Sequence, residues 1–141
     1  MTLEPSALDH LERRNRQMLV WLLRLSAMVL FAIGIFYWVR LVGIYDGPLW
    51  RFDLMPIWWR VAATVLAVLA PVAGVGLWMV VSWGAVIWII VALVEAVMHL
   101  GFPGLFGSPT PWMFFHLVGL SALAVLRLVA AWVRWRRLRR P

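Results

Sequence analysis

The sequence predicts an all-α fold: an integral membrane four-helix bundle with antiparallel, up-down topology and both termini in the cytoplasm. Composition is the first observation behind that reading. Of 141 residues, 65% are hydrophobic and 13% charged, too little polar surface to cover a soluble domain of this size. The second is run length, since four apolar segments approach or exceed the roughly 20 residues that a helix needs to cross the hydrocarbon core. The third is arginine, which gathers at the two chain ends beside apolar segments, the pattern that sets membrane orientation. One membrane domain fits this length.

The elements follow in chain order. Residues 1–18 read as a cytoplasmic amphipathic segment, with Pro5 in a first turn, Ser6 and Asp9 at capping-box-like spacing, and Leu8 and Leu11 on one face. Residues 19–133 form the four-transmembrane-helix domain, with spans at 19–42, 57–80, 85–101 and 112–133, and residues 134–141 form a basic cytoplasmic tail. The first span is a retained anchor. Its apolar run is too long for a signal peptide and ends in Tyr37-Trp38-Val39-Arg40 instead of a small-residue cleavage site. The breaks carry turn chemistry: Asp46-Gly47-Pro48, then Ser82-Trp83-Gly84, then Gly101 through Pro111. None of the runs alternates polar and apolar residues, which argues against barrel strands.

Charge gives the orientation. Ten arginines flank the two termini, against three (Arg40, Arg51 and Arg60) in and around the loop between the first two spans, so both ends are cytoplasmic. Ten of the eleven tryptophans then fall into two interfacial belts, and only Trp88 lies inside a span. The basic residues Arg13, Arg14, Arg16, Arg134, Arg136, Arg137, Arg139 and Arg140 are placed to meet anionic lipid headgroups. The net charge of +7 therefore reports topology, and no nucleic-acid partner is expected because no soluble basic fold accompanies it. The absence of cysteine excludes disulfides and thiolate-ligated metals.

Small residues mark helix contacts in lipid, where no hydrophobic force drives helices together. In the second span Ala63, Ala67, Ala70 and Gly74 form such a stripe, with Pro71 inside it as a static kink. Leu66 and Leu69 are expected to face lipid.

An ionisable residue inside a span is a candidate site. Glu95 lies six residues below the end of the third span, His99 follows one turn later, and His116 is near the start of the fourth. A helical hairpin brings these to similar depth, on the side that also holds Arg40 and Arg60. The expected cluster is therefore Glu95, His99, His116, Arg40 and Arg60. Its simplest role is a satisfied network in which Glu95 pairs with a histidine or with Arg40 or Arg60. A proton relay is a further reading. A zinc site lacks an evident fourth ligand, and a bis-histidine haem lacks room in a tight hairpin. No cofactor or metal is called for, and no catalytic motif is present.

Several motifs carry a resemblance. Phe52-Asp53-Leu54-Met55-Pro56, Leu69-Ala70-Pro71-Val72-Ala73, Leu77-Trp78, Ser82-Trp83-Gly84 and Gly101-Phe102-Pro103-Gly104-Leu105-Phe106-Gly107 together resemble an uncharacterised family of small four-span bacterial inner-membrane proteins. The resemblance covers roughly residues 40 to 107. It implies the same fold and compartment and no activity. A looser similarity of layout links the chain to four-helix families tied to quinone or thiosulfate oxidation.

The sequence thus points to a non-enzymatic accessory or scaffolding bundle, with the lipid bilayer, a homo-oligomer or a larger membrane complex as partners. Two alternatives are a small oligomeric carrier with a proton-coupled Glu95, and a cofactor- or quinone-linked membrane protein.

Overall fold

The computed structural model describes residues 5–139. These residues fold into helices: α1 (Pro5–Val42), α2 (Ile57–Trp78), α3 (Ser82–Ala96), the one-turn α4 (Pro103–Phe106) and α5 (Pro111–Leu138). A π-helical turn, Val97–Gly101, prolongs α3. Four helices, over 6–42, 57–78, 82–101 and 111–138, are long and apolar enough to cross a membrane. The chain is a multi-pass membrane protein.

The helix α1 does not divide at residue 18, where the sequence reading separates a surface segment from a span. It runs unbroken for 38 residues, about 57 Å at 1.5 Å per residue, against roughly 30 Å of hydrocarbon. Hydropathy changes near residue 18, but no Gly or Pro interrupts the chain between Pro5 and Gly34, so nothing stops the helix. The excess length pairs with the end of α5. Leu8 and Val133 are buried, the Asn15 amide donates to the Leu126 carbonyl at 3.1 Å, and Arg137 bridges Asp9 and Glu12. Arg137, expected at lipid headgroups, thus spends its charge inside a two-helix stem. Arg13, Arg14, Arg16, Arg134, Arg136 and Arg139 are exposed. Residues 1–4 of the expected segment and Arg140 lie outside the described residues.

The core is built chiefly by α1 against α2. Ala63, Ala67, Ala70 and Gly74 are all buried. A Cβ on Gly74 would sit 3.2 Å from the Ala27 carbonyl oxygen and one on Gly34 would sit 2.5 Å from the Pro71 ring, so the two backbones run close together at these points. Leu66, expected to face lipid, is instead fully buried and belongs to this core, while Leu69 is half-buried. The face that α2 turns inward is wider than its small-residue stripe.

Pro71 has no N–H and so leaves the carbonyl of Ala67, four residues earlier, without its helical partner. The Trp38 indole N–H donates to that oxygen at 3.0 Å. In lipid an orphaned carbonyl is costly, and a side chain from the neighbouring helix satisfies it.

The α2–α3 connection is tight. Val81 N–H bonds Gly76 O at 3.1 Å and Val80 N–H bonds Leu77 O at 3.0 Å, the paired bonds of a Schellman motif. That motif places Val80 at φ +58°, a left-handed conformation that a β-branched residue adopts at a cost. Gly76 and Gly84 lie against one another, and a Cβ on either would meet the other's backbone.

Candidate functional site

Glu95 is fully buried, and it is the described acid that lies inside a span. It occupies the inward face of α3 together with Trp88, seven residues or two helical turns earlier. His116 enters from the first turns of α5 and Tyr37 from α1. Gly119, one turn beyond His116, opens the space for Trp88: a Cβ there would lie 2.6 Å from the indole ring. Phe115 stacks on the same indole, with centroids 5.5 Å apart.

Hydrogen bonds join these side chains in a line across α1, α3 and α5. Trp88 Nε1–H donates to His116 Nδ1 at 3.0 Å. Indole N–H can only donate, so Nδ1 carries a lone pair and the ring proton sits on Nε2. That Nε2–H then donates to Glu95 Oε2 at 3.1 Å. The second carboxyl oxygen accepts a long bond, 3.4 Å, from the Tyr37 hydroxyl. Trp88 thereby fixes which nitrogen of His116 carries the proton that faces Glu95. The contact to Glu95 is a hydrogen bond from the imidazole to the carboxyl group.

The other expected members stand apart. His99 is buried but turns toward the loop after α3, where Nδ1–H donates to the Gly107 carbonyl at 3.3 Å and Nε2 is left without a partner. No hydrogen bond or ion pair links Arg40 or Arg60 to Glu95. Arg60 donates to the Met55 carbonyl at 3.0 Å and lies over Phe52. Arg40 sits among Phe36, Trp50 and Trp59, its guanidinium carbon 4.7, 4.8 and 5.2 Å from the three ring centroids. Aromatic faces compete for these cations, a partner that a reading based on carboxylate pairing overlooks. Among the described residues no three His, Cys, Asp or Glu side chains gather as a metal site.

Tyr37 and Trp88 are the members that sequence reasoning missed. Trp88 carried a signal: an indole N–H far from either interface needs an acceptor, and Glu95 two turns away marks its face as polar. Tyr37 lies in an aromatic stretch near the end of a span, where interfacial placement is the ordinary reading.

Two apolar clefts flank α3. One, of about 500 Å³, lies between α3 and α5 and is lined by Ala92, Ala96, His116, Leu117 and Ser121. Ala92 and Ala96 therefore border a cleft beside the Glu95 face. The second lies against α2, between Val61, Val65, Ile90 and Val97.

At the other end of the polar chemistry, the α1–α2 loop holds its own charges. Arg51 contacts Asp53 at 2.9 Å and Asp46 at 3.7 Å. The hydrogen bond to Arg51 holds the Asp53 carboxyl below its ordinary range, and the same contact raises Arg51.

No curated protein and no solved structure matches the chain. Residues 17–134, most of the chain and all of the Glu95 network, match the model of a family of unknown function (DUF6163), and the chain belongs to that family.

Proposed function

We propose that this protein is a non-enzymatic accessory or scaffolding bundle of the bacterial inner membrane, with antiparallel spans and both termini cytoplasmic. One observation carries the reading: the buried acid is closed at both oxygens by Tyr37 and His116, and His116 is closed in turn by Trp88. A catalytic or transport group must be reachable by substrate, whereas these polar atoms are spent on joining three helices. The antiparallel order is supported by paired positions on α1 and α5 that run in opposite directions: Asp9 with Arg137, Asn15 with Leu126, and Phe36 near Trp112. The arginine count supports the orientation. The exposed stem arginines suit anionic headgroups, and the open clefts suit a second copy or a larger membrane complex. Reporter tags at residues 1 and 141 should both read cytoplasmic, and one inserted near Gly47 should read the opposite side. Purification in mild detergent should bring partner chains or a homo-oligomer with the protein; a lone monomer would count against a scaffolding role.

A second reading, a small oligomeric carrier with a proton-coupled Glu95, has one feature in its favour. The Tyr37 hydroxyl both donates and accepts, so it can serve a carboxylate or reverse to accept from a protonated Glu95. Proton flux measured in vesicles separates the two readings: a scaffold shows none, and a carrier loses it in Glu95→Gln.

A further inference from the structure

We propose that Arg40 is the anchor of an oxyanion-binding site at the end of the bundle where α1 gives way to α2, taking a phosphate-type group from a lipid headgroup or from solution. Arg40 lies two residues before the end of its helix, half-buried, in a cage of Phe36, Trp50 and Trp59. Its Nε is shut off from solvent and has no hydrogen-bond partner, and no ion pair reaches the guanidinium among the described residues. The cage is itself braced: Trp50 packs edge-on to Phe36 and to Tyr45, Trp59 packs on Phe106, and its indole N–H is tied to the Leu105 carbonyl at 3.2 Å. The cation is thus held in a fixed place with its polar edge unspent.

Where the acids lie makes this arrangement informative. Every described carboxylate is engaged elsewhere: Asp9 and Glu12 with Arg137, Asp46 and Asp53 with Arg51, and Glu95 with His116. Asp46 and Asp53 flank the cage in sequence, yet Arg51 retains both. An arginine whose only need was charge compensation would have drawn on the acids of its own loop. Aromatic faces hold a guanidinium from above and below and leave its in-plane N–H groups for an acceptor. The acceptor that matches that planar fork is an oxyanion. A second donor stands at the same end. Thr110, which opens α5 two residues before Trp112, keeps its buried hydroxyl unpartnered, and Trp112 lies 6.3 Å from the Phe36 wall of the cage. This end of the molecule lies opposite the basic stem, so the site is separate from the stem arginines.

Full-length protein in a phosphate-free sugar detergent provides the test. Two probes separate the sources: dioleoyl phosphatidylglycerol, followed by native mass spectrometry, and inorganic phosphate at constant ionic strength, followed by the thermal midpoint. Retained lipid that falls roughly tenfold or more in Arg40→Gln, but not in Arg51→Gln, supports a headgroup as ligand. A phosphate-induced rise in midpoint with the same dependence supports a free solute. Where the glutamine variant fails to fold, Arg40→Lys keeps the caged charge, loses the fork, and should still weaken binding severalfold. Absence of binding by either probe to the unaltered protein overturns the proposal, as does binding that both Arg40 variants leave unchanged.

Discussion

Trp38 and Pro71 make one local arrangement out of two costs. The proline frees a carbonyl that lipid cannot satisfy, and the indole fills the vacancy from the next helix. Removing the indole alone should therefore hurt: Trp38→Phe is expected to cost about 1–2 kcal/mol, the penalty of an unsatisfied buried acceptor. In the Pro71→Ala background the helix supplies its own N–H to Ala67, and the same Trp38→Phe change should cost about 1 kcal/mol less. A double-mutant cycle on thermal unfolding in detergent measures this coupling, and simple additivity would sink the account. The Glu95 line behaves similarly. Glu95→Gln keeps an acceptor for His116 and a donor for Tyr37, so it should be mild. Glu95→Leu leaves both without a partner and should cost about 1–3 kcal/mol more. Gly119→Ala drives a methyl into Trp88, which its bond to His116 and its stacking on Phe115 hold in place; overpacking of about 1–3 kcal/mol is expected. Gly101→Ala, with its nearest neighbour atom 3.8 Å away, is the matched control.

At the scale of elements, the α2–α3 turn contains a removable strain. Val80 occupies a left-handed position at which glycine is the usual residue. Val80→Gly should relieve more than it loses in chain entropy and raise stability by about 0.5–1 kcal/mol; a lower midpoint would mean the strain is offset elsewhere. The stem bridge is a weaker affair. Arg137 and its two acids are each about half exposed, so Arg137→Gln should cost less than about 1 kcal/mol, with the difference fading in 1 M salt. Elements were also the most legible level of the sequence. Four apolar runs separated by Gly and Pro announce four helices, because the bilayer permits little else. The stem was harder to see because hydropathy marks where lipid ends, whereas a helix ends where its backbone can stop, and residues 6–33 contain no breaker. Of the polar site, Glu95 and His116 were legible from hairpin register alone. Arg40, Arg60 and His99 were grouped with them by depth, but aromatic rings and carbonyls reach those side chains first. Leu66 was misplaced because a stripe of small residues reveals the centre of an interface and not its width.

On the scale of the whole molecule, the four spans are unequally held. α1 and α2 share close backbone contacts at Gly34 and Gly74 and a hydrogen bond through Trp38, whereas α5 buries few side chains along its length and meets α3 through Phe115, His116 and Gly119. The Trp88–His116–Glu95 line has a consequence for how the protein is made. Spans are synthesised in order, so Glu95 is delivered to the bilayer with α3 before His116 exists. During that interval Tyr37 on α1 is its available partner, and the Trp88 indole has none. The arrival of α5 then does two things at once: it completes the carboxyl's shell and gives the indole its acceptor. The fourth helix acts as the closing step of biogenesis. A chain ending near residue 108 should insert but remain prone to degradation, and supplying residues 109–141 as a separate polypeptide should rescue it, provided that fragment carries His116.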